Sequence, residues 1–435
     1  MRHPLILTTL RTYTLSQFRA DFFAGMTVAM VALPLSLAIA IASGAKPADG
    51  LITAIVAGFL VSALGGSRVQ IGGPTGAFIV VVFTVIAEHG YDGLVLATLM
   101  AGVMLVVAGY FRLGSLVAYV PEAVINGFTI GIGILIATSQ VKDLFGLTLA
   151  ATPANFLETW PALWQARATF VPAALGIGVA TTVVIVLLRR AAPRLPGLIV
   201  AVGLTSLAVY LADMPVDSIA DRFGALPDHL PWPSLPNLSI AHAVDLLPSA
   251  IAIAFLAGVE SLLSAMVADR MMTGQEDAAA PEQSPPKGQH RPNAEILAQG
   301  FANIGSALFG GLPATGAIAR TATNVRAGGK TPVAGIVHAL TVLAVMMLAA
   351  PLAGHLVMPA LAGLLILTAW NMSEPHKWRG YLSARPSDRF LLILTLTLTV
   401  VADLTVAIGV GVAIGLAIRL RRRDVPPADW SPPER

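Results

Sequence analysis

Two short stretches, Pro74-Thr75-Gly76-Ala77 and Pro313-Ala314-Thr315-Gly316-Ala317, carry the residue types that let an anion touch bare backbone. Glycine and alanine admit a ligand to the main chain, and the threonine hydroxyls add donors. A helix beginning at such a stretch presents unpaired N–H groups and about half a unit of positive charge. Two such ends converging make an anion site without any charged side chain. The candidate ligands are Thr75, Gly76, Ala77, Thr315, Gly316 and Ala317. Small residues also serve close helix packing in membrane bundles, so the pattern needs support from elsewhere.

Arg320 supplies some of it. It stands about two turns into the second of these segments. An arginine inside a span costs about 2.5 kcal/mol or more unless it is hydrated or paired. A fixed cation raises anion occupancy and repels cations; the structural alternative is a partner for a carbonyl or for Glu260. Glu260, in AGVESLLSAMVAD, reads as the only carboxylate well within the second-half spans before Asp403. A carboxylate there can take up a proton in a transport cycle. With Ser264 one turn on, it can instead ligate Na⁺, a hard ion that prefers oxygen. Ser36, beside Pro34 in the first span, can turn its hydroxyl toward the site. Asp269 reads as a solvated end charge, Asp403 as a helix cap, His338 as a hydrogen-bonded core histidine, and Asn126 as a helix contact or a pocket wall.

These residues have to be positioned by membrane-spanning helices. Of 435 residues, 56% are hydrophobic and 12% charged, too little charge to coat a soluble protein of this size. Cysteine is absent, which excludes disulfides and thiolate metal sites. Apolar runs fall near 21–42, 51–66, 74–87, 93–111, 119–138, 169–188 and 195–212. A second set falls near 244–268, 293–310, 313–326, 332–350, 354–371, 387–402 and 404–420. The runs 74–87 and 313–326 are too short to cross about 30 Å of hydrocarbon and read as half-helices after extended backbone. With the N-terminus inside, 22 of the 27 Lys and Arg fall on the cytoplasmic side and four outside, with Arg320 within a span. That asymmetry fits fourteen segments with both termini cytoplasmic. Two pieces, 153–168 and 374–384, read as helices at the lipid surface.

The chain thus divides into a cytoplasmic segment 1–20, a first half 21–213, an extracellular Pro-rich linker 214–243, a second half 244–420 and a cytoplasmic tail 421–435. Within the second half, Glu276–His290 is a polar insert of disorder-prone composition. Ser62-Ala63-Leu64-Gly65-Gly66 returns as Ser306-Ala307-Leu308-Phe309-Gly310-Gly311, and the Pro-Thr-Gly-Ala string returns with it. Seven segments per half make the second half enter inverted, and broken helices at matching places point to a midplane transporter site. Thr75, Gly76 and Ala77 are then expected to face Thr315, Gly316 and Ala317.

The strings VALPLSLAIAIASG, LGGSRVQIGGPTGAF, GVESLLSAMVAD and AQGFANIGSALFGGLPATGAIARTATNVRAGGKTPVAG resemble the SulP anion transporters, also called solute carrier family 26, over about Phe18 to Arg419. The resemblance implies an all-α polytopic membrane protein. It implies fourteen segments in a 7+7 inverted repeat of the uracil permease-like fold, with core and gate domains and two half-helices. It also implies an anion site at Thr75, Gly76, Ala77, Thr315, Gly316, Ala317 and Arg320. Family members place a carboxylate where Glu260 stands, and in a sodium–bicarbonate member an aspartate there helps bind Na⁺. A STAS domain usually follows the last span; the 15 residues after Leu420 are too few for one.

The expected protein is a multi-pass plasma-membrane (inner-membrane) secondary transporter. Its substrate is a small inorganic anion, sulfate or bicarbonate, or a dicarboxylate, coupled to H⁺ or Na⁺. No cofactor beyond that ion is expected, and no nucleic acid; lipid surrounds the chain, and a homodimer is compatible. Alternatives are an uncoupled exchanger or channel, and a nucleobase permease of the same architecture, which would read ring edges with side-chain amides and carboxylates. A membrane enzyme is disfavoured because no span carries paired carboxylates, a His cluster or a nucleophile–base pair.

Overall fold

The computed structural model describes residues 3–114, 120–149, 153, 155–192, 195–236, 240–276, 290–402 and 404–421. Asp403, nearly all of the polar insert and the tail beyond Arg421 lie outside them. The described chain is helical apart from one pair of two-residue strands and an isolated bridge.

Fourteen segments appear where the apolar runs lie. The first half holds α1 (Leu15–Ala42), α2 (Pro47–Leu64), α3 (79–89), α4 (91–110), α5 (Glu122–Ser139), α6 (Pro172–Ala191) and α7 (Gly197–Leu211). Helices α3 and α4 are the two parts of Ile79–Tyr110, broken at Gly90, where φ is 71°. The second half holds α8 (Leu247–Glu276), α9 (Pro292–Leu308), α10 (Ile318–Arg326), α11 (Val333–Gly354), α12 (Met358–Met372), α13 (Pro386–Val401) and α14 (Leu404–Arg421). Seven helices among the described residues are long and apolar enough to cross a membrane unaided, and the rest are shorter or more polar.

Local sequence explains where the helices start. Thr14 and Gln17 form a reciprocal cap before α1. Proline opens α2, α6, α9 and α13, where its missing N–H loses nothing. Helix α6 buries Ala174, Ile177, Gly178, Thr181 and Ile185 on one stripe and turns Val179, Val183 and Leu187 outward. An apolar outer face suits lipid rather than water.

Packing sorts the helices into two groups. Helices α1–α4 lie against α8–α11, and α5–α7 lie against α12–α14. The helix Phe156–Gln165 exposes Leu157, Trp160 and Trp164 while burying Thr159 and Leu163, so it lies on a surface. In Trp378–Ser383, Trp378 donates its indole N–H to Ser373 O at 2.7 Å.

At the centre of the first group, β1 (Gly72–Gly73) pairs antiparallel with β2 (Thr315–Gly316), Gly72 opposite Gly316 and Gly73 opposite Thr315. The register corrects the expected facing. Thr75–Ala77 do not oppose Thr315–Ala317; they follow β1 and begin the helical turn Gly76–Phe78 that leads into α3. The local two-fold of the pairing relates Gly72 to Thr315, 243 positions apart. The Ser62/Ser306 echo, 244 apart, misses this offset by one residue, and Pro74/Pro313, 239 apart, misses it by four. Main-chain hydrogen bonds in the strand pair, rather than small-residue identity, set the register.

Candidate anion site

The two half-helices start directly after the paired strands. Thr75 is extended (φ −127°, ψ 158°) ahead of Gly76–Phe78, and Ala317 is extended ahead of α10. Because residues 315–316 remain strand, α10 starts at Ile318, and Arg320 lies in its first turn rather than two turns in. A cation at the positive end of a helix is opposed by the helix dipole. Arg320 is nevertheless fully buried. Its Nη2 donates to Ser36 Oγ at 3.0 Å and to Pro74 O at 3.1 Å, while Nε and Nη1 have no partner. It makes no ion pair with Glu260 or any other carboxylate among the described residues. Gly73 makes this placement possible, since a Cβ there would overlap Arg320 Nη1.

The predicted site residues divide into those that keep some accessible surface and those engaged in the frame. Thr75 and Glu260 retain accessible surface, and Thr75 Oγ1 donates to Glu260 Oε2 at 3.1 Å. Gly76 and Ala77 are buried, and Ile136 of α5 and Met372 of α12 close over Gly76. Thr315 is buried with its hydroxyl donating to Ala257 O at 2.9 Å, and Ala317 N–H donates to Ile71 O at 2.8 Å. Gly316 sits in β2. Ser36 is buried, and its oxygen is held by Arg320. Ser264, one turn after Glu260 on α8, donates to Thr321 Oγ1 at 3.1 Å. Asn126 is partly buried on α5.

Sequence reading missed a buried carboxylate beside the strand pair. Glu295, in the first turn of α9, is fully buried. Its Oε2 accepts from Gly66 N–H at 2.8 Å and Ser67 N–H at 3.1 Å, and its Oε1 from Ser261 Oγ at 3.2 Å. Ser261 in turn accepts from Gln70 Nε2 and Gln299 Nε2 at 2.7 and 2.8 Å. This network ties the residue after Glu260 to the approach to β1. Asn303 similarly grips Ala314 through both its N–H and its carbonyl, just before β2.

Two further expectations change. Asp269 is not a solvated charge: its Oδ2 accepts from His290 N at 2.8 Å and pairs with His290 Nδ1 at 2.7 Å, closing the helix ends on either side of the polar insert. His338 is fully buried, but neither ring nitrogen has a hydrogen-bond partner. Near the start of α1, Asp21 accepts from Lys330 N–H, Thr331 N–H and the Thr331 hydroxyl, clasping the α10–α11 turn. Tyr13 donates to the same carboxylate, and burial with that neighbour pushes its phenol up from the ordinary value.

This geometry is two helix N-termini converging on a paired strand, with a buried arginine and an accessible carboxylate beside them. The sulfate permease family matches residues 18–395. This chain belongs to the SulP family. SulP membership places it among membrane transporters rather than enzymes. YvdB of Bacillus subtilis, whose name assigns it provisionally to sulfate transport, is 41% identical over 381 residues, 87% of this chain and 69% of that protein. The bicarbonate transporter BicA of a Picosynechococcus species is 30% identical over 80% of this chain and 60% of its own length. The chain therefore spans about 60–70% of these relatives. The transmembrane domain of a cyanobacterial BicA superposes with a TM-score of 0.79 at 29% identity, covering 91% of this chain and 99% of that one. Murine Slc26a9, at 18% identity and a TM-score of 0.82, shares the SulP fold.

Proposed function

We propose that this chain is the membrane unit of a secondary active transporter for a small anion, sulfate or bicarbonate, driven by H⁺ or Na⁺ through alternating access. The observation that carries the reading is Arg320. It is a buried guanidinium in the first turn of one half-helix, bonded to the turn that opens the other, with no carboxylate among the described residues to balance it. Two helix N-termini and a cation together favour an anion and disfavour a neutral base. Names borne by relatives for sulfate and bicarbonate transport support the substrate class.

Glu260 is the coupling residue in this reading. Unit charges about 5 Å apart interact by about 3 kcal/mol at an effective dielectric of 20. A proton or Na⁺ at Glu260 removes a repulsion of that order from a nearby anion, and linkage makes each ligand favour the other. The core group α1–α4 with α8–α11 carries the site, and the gate group closes over Gly76 through Ile136 and Met372. The two halves act as inverted repeats, in the plasma membrane with both termini cytoplasmic, surrounded by lipid and compatible with a homodimer.

Uptake of radiolabelled sulfate, bicarbonate and fumarate into proteoliposomes, under imposed Na⁺ or H⁺ gradients, tests this. Gradient-driven accumulation of one of them is the expected result. Uracil uptake without anion uptake would instead support a nucleobase permease.

A further inference from the structure

Behind β1 lies a buried polar pair that the transport reading has not used. Arg320 leaves Nε and Nη1 without partners, and His338 on α11 leaves both ring nitrogens without partners; both side chains are fully buried. The two are neighbours across a common wall. The His338 ring lies beside Gly58, where a Cβ would sit 3.6 Å from its Nδ1 and Cε1 and 3.1 Å from Gly72 O. Arg320 Nη1 lies beside Gly73, whose own Cβ would sit 3.7 Å from Ala54 Cα. Ala54 and Gly58 are one turn apart on α2, and Gly72 and Gly73 are consecutive on β1. The guanidinium and the imidazole thus occupy successive turns of one face, within electrostatic reach of each other.

Their chemistry is complementary. A guanidinium offers only donors, and a neutral imidazole offers one acceptor and one donor. Buried groups of this kind in folded proteins are bonded to one another or bridged by internal water. Leaving several orphaned in one place would be severely unfavourable. Glycine at both 58 and 73 leaves the wall between them free of side chains.

We propose that His338 is a positioning residue for the anion site: through a bridging water behind β1 it holds the inner edge of the Arg320 guanidinium. Ser36 and Pro74 O fix one nitrogen of the fork, and His338 fixes the plane in which the remaining N–H groups lie. The proposal rests on the reading of Arg320 as the cation of the site.

The test compares His338→Leu, His338→Gln and Arg320→Ala for half-saturation and maximal rate of sulfate and bicarbonate uptake, together with thermal stability in detergent. Leucine removes the imidazole end of the bridge and leaves the buried guanidinium N–H groups unanswered, so the unfolding midpoint should fall while the protein still folds. The half-saturation concentration should rise about five- to tenfold, with the maximal rate within twofold. Glutamine keeps one donor and one acceptor and should restore half-saturation to within about twofold of wild type. Wild-type half-saturation in His338→Leu, or equal weakening in the Leu and Gln variants, overturns the positioning role. If Arg320→Ala transports with unchanged half-saturation, or the wild type takes up neither anion, the underlying site reading fails and the His338 role falls with it. Weakening by Arg320→Ala without any effect of His338→Leu removes His338 alone.

Discussion

Arg320 matters because its surroundings oppose it twice, by burial and by the dipole of α10. In the proposed reading a resident or visiting anion answers both. Arg320→Ala should therefore raise the half-saturation concentration for the transported anion about tenfold or more, roughly 1.4 kcal/mol of binding. Arg320→Lys should rescue poorly, since an ammonium cannot span Ser36 Oγ and Pro74 O while also facing the anion as the fork does. An unchanged half-saturation in the Ala variant would return Arg320 to a structural role. Glu260→Gln should abolish gradient-driven accumulation while leaving anion exchange across the membrane. Full accumulation in that variant would remove Glu260 from coupling. Both residues were legible in the sequence because a charge inside an apolar run is rare and demands a reason. Glu295 was not, because a charge three residues into a segment reads as a solvated end. Its partners Gly66, Ser67 and Ser261 are also remote in sequence, so only the fold reveals them.

At the level of elements, the two short apolar runs announced the half-helices, and hydrophobic length placed all fourteen segments. Register was a different matter. Small-residue strings repeat easily in a chain with 40 glycines, so neither the Pro74/Pro313 echo nor the Ser62/Ser306 echo gave the strand register, although the second came within one residue of it. The misplaced register also put Arg320 one turn too deep. The framework around the strands depends on Glu295, which accepts two backbone N–H groups and one hydroxyl. Glu295→Ala strands those buried donors and should lower stability by about 2–4 kcal/mol. Thermal unfolding in detergent reads this directly. A midpoint equal to wild type would mean that the network is dispensable to the fold.

For the whole molecule, the absence of native cysteine makes topology directly measurable. Lys46 and Lys330 are both exposed, and the charge asymmetry puts them on opposite sides. A single cysteine at 46 should react with a membrane-impermeant maleimide added to intact cells. One at 330 should react only after permeabilisation. Labelling of both from outside would undo the fourteen-segment topology on which convergence of the half-helices depends. The fold was legible at this scale because lipid forces every backbone group into helices and charge into loops. Substrate identity was not, because helix dipoles and one arginine select charge and size rather than chemistry.

The central claim is that two helix N-termini and Arg320 make a site for a transported anion. Uptake of radiolabelled sulfate and bicarbonate into proteoliposomes, wild type against Arg320→Ala, tests it most directly. Saturable, gradient-driven uptake of one of these anions, weakened at least about tenfold in half-saturation by the substitution, is the predicted result. Uptake of uracil in place of either anion, or anion uptake indifferent to Arg320, would contradict it.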